Sequence, residues 1–467
     1  MNYEPIALTT FLFCLAFTAA LAIRGGVQAR RAAEGDLAGK SLNRWLVGLS
    51  AGATANSGFV VAAAVGLGYS YGAQWLLLPL AWLLGDLVFW RFFPRRLNAY
   101  GRETGATTLT DLIVAGLPRG RLTLAVSLSS ATVIVLGMTT YTAGQWAAGE
   151  KFLGTAFGLS SIEALVLFGG FIILYSAVGG FRGSIYADAF QALLRILGTI
   201  AVFGTASFIA VTGTYGSSGD LPENFYSLFG SMHFGGAVAF IIGWAAAALS
   251  FGLGQPQVVT RYLAGQSPEE TQKARWIYMG YLQLTWITMT AFGMVFRQIE
   301  PGLDPEAAEA SLGIFSSNYL LPVLTGLILA DIFSAIASTA NSLLIAAAQS
   351  LKHDIFSRFR TKFPLSLITI TLGAVTLLIT WAVEAPSVFS LITAAVSIVG
   401  SGLASPIMIK VLGWRHTSAS ILAAMVGGVA AASLWRATGL GATLNEVAIG
   451  LTVGVCVNFA IARLGKP

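Results

Sequence analysis

The residues of this chain best suited to chemistry lie where the surrounding sequence is most apolar. The stretch Leu329-Ala-Asp-Ile-Phe-Ser-Ala-Ile-Ala-Ser-Thr-Ala-Asn-Ser-Leu343 sits inside a long hydrophobic segment. It nevertheless carries one carboxylate, Asp331, hydroxyls at Ser334, Ser338, Thr339 and Ser342, and the amide of Asn341. At helical spacing Asp331, Ala335, Ser338 and Ser342 share one face, with Thr339 beside them. Hydroxyl and carbonyl oxygens are hard ligands suited to a weakly held alkali cation. A carboxylate at membrane depth marks a functional site by default. A plainer reading stands beside this one, because small residues and hydroxyls also hold helices together in lipid.

Two further stretches interrupt apolar sequence. Ser50-Ala-Gly-Ala-Thr-Ala-Asn-Ser-Gly58 is poor helix material, and Gly52, Asn56 and Gly58 invite a break. In Phe251-Gly-Leu-Gly-Gln-Pro-Gln257, Pro256 removes a donor and crowds the preceding turn. Irregular backbone is tolerated at membrane depth only where it is buried or lines a cavity. The alternative is that these glycines merely let helices pack closely.

The elements that must position these residues are membrane helices. Of 467 residues, 55% are hydrophobic and only 10% charged, far too few charges for a soluble globule. Apolar stretches long enough to span a bilayer fall at 5–23, 42–67, 72–93, 121–145, 160–179, 186–213, 235–255, 275–297, 314–349, 364–384, 388–412, 417–435 and 444–463. The expected fold is all-α and polytopic, with about 13 transmembrane helices. Basic residues crowd alternate loops, among them Arg30, Arg31, Lys40, Arg95, Arg96, Arg261, Lys352, Arg360, Lys362 and Lys466. The other loops are neutral or acidic, as at Asp220, Glu300, Asp304 and Glu309. By the positive-inside rule the N-terminus is outside and the C-terminus cytoplasmic, which an odd helix count requires.

Composition also excludes functions. The net charge of +6 lies in membrane loops and does not imply nucleic-acid binding. Cys14 and Cys456 form no metal pattern, and His233, His353 and His416 sit in or beside loops on different sides. No catalytic constellation emerges, so the chain reads as a non-enzyme with no cofactor. The first apolar segment reads as a retained helix rather than a signal peptide.

Interrupted helices five positions apart are what an inverted five-plus-five repeat produces, with substrate and ion held between the breaks. At this point the residues resemble the sodium–solute symporter family, in its sodium/proline branch. Leu49-Ser-Ala-Gly-Ala-Thr-Ala-Asn-Ser-Gly58 looks like that family's first core helix. Gly179-Gly-Phe-Arg-Gly-Ser-Ile-Tyr-Ala-Asp-Ala-Phe-Gln191, Gly254-Gln-Pro-Gln-Val-Val-Thr-Arg-Tyr262 and Ala335-Ile-Ala-Ser-Thr-Ala-Asn-Ser342 follow in the family's order and spacing.

The resemblance implies a LeuT-type inverted repeat. Residues 1–41 would supply an extra helix and loop, 42–213 and 214–412 the two halves, and 413–467 two further helices. It implies a sodium site made by Ala53, Asn56, Ala335, Ser338 and Thr339. A second sodium site would use Asp188, Asn341 and Ser342, although Asp188 has a plainer reading as an ion pair with Arg195 or Arg182. Ser57, Tyr141, Gln145, Gln255 and Pro256 would face the solute.

Two positions depart from the branch. Ala248 stands where it has a tryptophan, with Trp244 one turn earlier, and Ala55 stands where it has an aspartate. The charge reappears at Asp331, which would bind a cationic solute group or carry a proton, or else pair with a neighbouring basic residue.

The function so implied is sodium-coupled symport of a small organic solute, an amino acid or organic acid, across a bacterial inner membrane. A proton-coupled symporter using Asp331 is one alternative. A membrane solute sensor is another, and it would need a protein partner, because the chain ends about three residues after its last helix. Otherwise the expected partners are the solute, Na+ and the lipid bilayer, with no obligatory protein partner.

Overall fold

Lipid offers no hydrogen-bond partners to an open backbone, so a chain this apolar must satisfy its amides within helices. The computed structural model describes residues 5–31, 37–213, 221–359, 363–382 and 388–464. Among these no strand forms, and an isolated bridge joins Leu42 to Gly265. Asp220, Arg360, Lys362, Lys466 and the expected boundary between the halves at 213–214 lie, wholly or in part, outside the described residues.

The principal helices are α1 (Pro5–Arg31), α2 (Arg44–Gly58), α3 (Ala64–Tyr71), α4 (Leu77–Phe92), α5 (Arg121–Phe157), α6 (Ser161–Thr212) and α7 (Phe234–Gly254). They continue with α8 (Pro256–Leu263), α9 (Arg275–Ile299), α10 (Pro322–Ser350), α11 (Leu365–Ala382), α12 (Val388–Val411), α13 (Ser418–Ala437) and α14 (Glu446–Leu464).

Among the described residues, ten helical runs are long and apolar enough to cross a membrane, and two of them fold back on themselves. Ser161–Thr212 is 52 residues long, far beyond one crossing. Before Gly180 it climbs alongside α10, with Phe168 and Phe171 on Phe333 and Tyr175 on Asn341. After Gly180 it descends, with Ser184 at Ser342 and Arg195 at Asp331. Gly180 takes φ 58°, ψ −162° at the reversal, a conformation open to glycine at no steric cost.

The 49-residue run Arg44–Phe92 reverses likewise. Asn56 meets Thr285 on the way out, and Pro79 and Trp90 meet Gln283 and Gln272 on the way back. With these reversals and the 25-residue α9, the crossings number about thirteen, as hydropathy predicts.

The differences from the hydropathy reading are local. The expected 314–349 helix is two, Ser311–Tyr319 and α10, because Pro322 starts a new helix at its first turn. The expected 160–179 and 186–213 helices abut at Gly180, with no intervening loop. The break expected across Ser50–Gly58 falls at Ser57, followed by a π-helical turn over Phe59–Ala63. The second break falls at Gln255, whose extended φ −84°, ψ 109° separates α7 from α8.

The basic loops converge on one face. Arg44 pairs with Glu270 at 2.9 Å, Arg102 bonds the Gly265 carbonyl at 2.7 Å, and Arg182 bonds Ser41 at 2.9 Å. The Arg44 hydrogen bonds hold the Glu270 carboxyl below the usual carboxylate range. The helix at the centre is α10, buried at every residue from Ile328 to Ser350.

Small residues allow this closeness. A Cβ on Gly68 would sit 2.1 Å from the Thr290 carbonyl oxygen, whereas one on Gly280 would meet nothing within 4 Å. Gly68→Ala is therefore expected to lower stability by about 1–3 kcal/mol through overpacking, and Gly280→Ala to leave it equal or higher. Thermal melting of the two variants in one detergent checks this contrast.

Candidate functional site

The site begins with strain at Ser57, held at φ 35°, ψ −177°. A non-glycine residue there costs on the order of 1–3 kcal/mol, so surrounding contacts must impose it. They are visible on both sides of the break. The Gly58 N–H, which in a regular helix would bond the Thr54 carbonyl, donates instead to Gln145 Oε1 at 3.1 Å. The Phe59 N–H donates to Ser57 Oγ at 3.1 Å. The Thr54 carbonyl accepts the Thr339 hydroxyl of α10 at 3.1 Å.

Around Thr339 the oxygens gather. The Ala335 carbonyl accepts Ser338 Oγ at 3.2 Å and Thr339 Oγ1 at 3.3 Å. Four neutral oxygens from Thr54, Ala335, Ser338 and Thr339 thus lie together between α2 and α10. Of the residues expected here, Ala335, Ser338 and Thr339 meet. The first-helix carbonyl that touches Thr339 is that of Thr54, one residue on from Ala53. The Asn56 carbonyl accepts the Phe59 N–H, while its side chain bonds Thr285 and Trp286 at 3.0 and 2.8 Å.

One helix turn away lies a charged cluster. Asp188 Oδ2 accepts Ser50 Oγ at 2.6 Å and pairs with Arg261 Nη2 at 3.1 Å. The same guanidinium nitrogen donates to Ser342 Oγ at 2.6 Å and Ser184 Oγ at 3.1 Å. Asp188 and Ser342 are thus each bound to Arg261, which stands between them. Asn341 turns instead to the Tyr175 hydroxyl at 3.4 Å. Asp188 Oδ1 and Asn341 Oδ1 lack a hydrogen-bond partner among the described residues.

The expected pairing of Asp188 with Arg195 or Arg182 is corrected. Seven residues of helix separate Asp188 from Arg195, about 10 Å of rise, so neither can reach the other along one face. Arg195 instead pairs with Asp331 at 2.9 Å across the neighbouring antiparallel helix, both side chains 2% exposed. Asp86 is buried as well, with Oδ2 unpartnered among the described residues.

A cavity of about 40 Å³ adjoins the first break. Ser57 and Tyr141 line it, together with Trp82, Trp244, Phe251 and Trp286. Trp244 supplies the aromatic wall that Ala248 lacks, from one turn earlier. Its polar lining includes Thr393, Ser397 and Asn445, and no charged side chain among the described residues.

Four residues expected at the solute do not line this cavity. Gln145 is committed to the Gly58 amide, and Gln255 donates to the Val396 carbonyl at 3.3 Å. Pro256 starts α8, and Asp331 is taken by Arg195. Trp82 and Trp286 carry no signal in the sequence, because their surroundings there are predominantly apolar. Asn445 carried a signal, being an amide at the start of an apolar segment.

Comparison with known proteins matches residues 37–428 to the "Sodium:solute symporter family". The "High-affinity proline transporter PutP" of Bacillus subtilis (strain 168) is 26% identical over 448 residues, covering 92% of each chain. A "Sodium/proline symporter" of Staphylococcus aureus is 26% identical over 455 residues, covering 92% of this chain and 87% of its own.

Among solved structures, the substrate-bound outward-open state of a Na+-coupled sialic acid symporter superposes with TM-score 0.79 at 17% identity. It covers 100% of this chain and 99% of its own. MhsT in complex with L-phenylalanine gives TM-score 0.58 at 16% identity, covering 90% and 99%. Mhp1 in a closed conformation gives 0.56 at 16% identity, covering 91% and 92%. These structural likenesses establish a LeuT-type fold.

Because Asp188 and Arg261 are both buried, removing either one strands the other's charge, at a cost of about 3–5 kcal/mol. Arg261→Gln or Asp188→Asn alone is expected to lower the melting temperature sharply, and the double variant to recover most of the loss. Equal loss in single and double variants would show that the pair is not the interaction at stake.

Proposed function

The chain belongs to the sodium:solute symporter family, and on that premise we propose how its own residues carry out the sodium-coupled symport of a small solute. The carrying observation is the Thr339 hydroxyl on the Thr54 carbonyl, exposed by the break at Ser57. Sodium would enter among the Thr54, Ala335, Ser338 and Thr339 oxygens, with the neighbouring carbonyls of Ala53 and Asn56 completing its shell. Neutral oxygens hold sodium weakly enough to release it, which a transport cycle needs. The ion would tie α2 to α10 and favour the state in which the solute cavity is formed. Coupling requires only that sodium bind one state better than the other.

The solute would bind in the cavity at Ser57, Tyr141 and Trp244. At about 40 Å³ that cavity must widen to admit it, so the cycle includes movement of the broken helices against their neighbours. With no charged lining side chain among the described residues, the solute is neutral overall. Its carboxylate would meet the amides at the break and the bound ion, as anions do at helix N-termini. The similar proteins named for proline make a small apolar amino acid the favoured cargo.

Arg261 already places positive charge between Asp188 and Ser342, which opposes a second sodium there. Asp331 is read as the structural partner of Arg195 rather than a proton carrier. By loop charge the face bearing Arg44, Arg102 and Glu270 is cytoplasmic, with the N-terminus outside, in a bacterial inner membrane.

Thermal melting in sodium chloride against choline chloride at equal ionic strength tests this. A sodium-specific gain is expected, about 2.7 kcal/mol at a hundred times Kd, and Thr339→Ala should remove it. Proline uptake into proteoliposomes should follow an imposed sodium gradient and survive the paired replacement of Asp331→Asn with Arg195→Gln, which strands no buried charge. Uptake that follows pH and needs Asp331 would overturn the sodium reading.

A further inference from the structure

At the basic face two helices form a seam with charge at one end and aromatic rings farther along it. On α1 the residues Phe13, Phe17, Arg24, Gln28 and Arg31 recur at helical intervals and share one face. Beyond Gly180, α6 does the same with Arg182, Tyr186, Phe190, Leu193 and Leu197. The two faces lie side by side and run in opposite directions. Phe17 meets Phe190 edge-on at 4.8 Å, and the Tyr186 hydroxyl donates to Gln28 Oε1 at 3.2 Å. Between these contacts the backbones approach closely, since a Cβ on Gly25 would lie 2.7 Å from Gly183 Cα. The seam is therefore a shallow furrow with backbone beneath it.

The furrow faces outward. Phe13 is 69% exposed, Leu193 53% and Leu197 67%. Arg24, Arg30 and Arg31 are exposed too. No acidic residue occurs in α1, and Asp188, the one acid of α6 beyond Gly180, is buried against Arg261. Arg30 donates to the Val178 carbonyl at 3.2 Å, which fixes its charge at the seam without neutralising it. Arg182 is engaged by Ser41 and by the face of Tyr186.

A scattered arginine at a membrane boundary merely turns its head towards water. Here three arginines stand at the mouth of an apolar furrow that leads from them into the membrane. We propose that this seam binds an anionic phospholipid. Its phosphate sits between Arg24 and Arg31, seven residues and about 10 Å of helix apart, where guanidinium groups can each donate two parallel hydrogen bonds. Arg30 adds charge from the side, and an acyl chain lies along Phe17, Phe190 and Leu193. A zwitterionic phospholipid fits the same furrow but brings its own ammonium, which the arginines repel, so net headgroup charge selects the ligand. The proposal needs neither sodium nor solute, and its failure would leave the transport reading untouched.

Native mass spectrometry of the full chain in detergent tests this, by titration with phosphatidylglycerol and phosphatidylcholine of identical acyl chains. Phosphatidylglycerol should bind more tightly. Arg24→Gln with Arg31→Gln should weaken it by about thirtyfold and leave phosphatidylcholine unchanged. Arg24→Lys with Arg31→Lys keeps both charges and should keep most of the preference, which separates lost charge from a damaged fold. Arg119→Gln with Arg121→Gln, exposed at another basic loop, should change nothing. Glycerol 3-phosphate, which carries the anion without the chains, should not compete.

Four results overturn the proposal. They are equal binding of the two lipids, a preference that survives loss of Arg24 and Arg31, a preference lost equally with Arg119 and Arg121, and displacement of the lipid by an equal concentration of glycerol 3-phosphate. The last would make the seam a site for free anions.

Discussion

A helix broken inside a membrane must find new partners for the backbone groups it releases, and the rest of this structure is arranged around one such repair. At Ser57 the chain leaves helical geometry, and Gly58 and Thr54 lose each other. Gln145 of α5 takes the amide and Thr339 of α10 takes the carbonyl. Each unsatisfied group in lipid would cost several kcal/mol, so both contacts are obligatory. They hold three helices at one point and set a group of neutral oxygens beside a cavity.

Charge imposes the second constraint. Arg261 and Arg195 are buried in the bundle, and each is matched across helices by an aspartate, Arg261 by Asp188 and Arg195 by Asp331. Such pairs add little net stability over apolar residues of the same shape, but they penalise any packing that separates them. Here they fix α6 against α8 on one side and against α10 on the other. A helix hairpin that reverses at a single glycine with no loop gains its register from contacts of this kind.

Much of the architecture was legible in the sequence. The crossings, the charged and uncharged loops and the two breaks each depend on local composition over about twenty residues, the length a bilayer demands. The hydroxyls at Ser338 and Thr339 were legible too, because polar oxygens amid apolar sequence stand out wherever the helix lies. The precise break residue, Ser57 among nine small candidates, was not, since each of them permits a break and only Gln145 and Thr339 select one.

Tertiary structure alone decided the pairings. Asp188 finds Arg261 rather than Arg195, because helix rise separates residues seven apart while folding back brings residue 261 alongside. Asp331 is drawn to Arg195 for the same reason. The aromatic cavity of Trp82, Trp244 and Trp286 is assembled from three helices that look equally apolar in sequence. The sequence by itself determined which segments cross the membrane and where they weaken. Which side chains meet depended on antiparallel register between distant segments, a long-range quantity that no local pattern encodes.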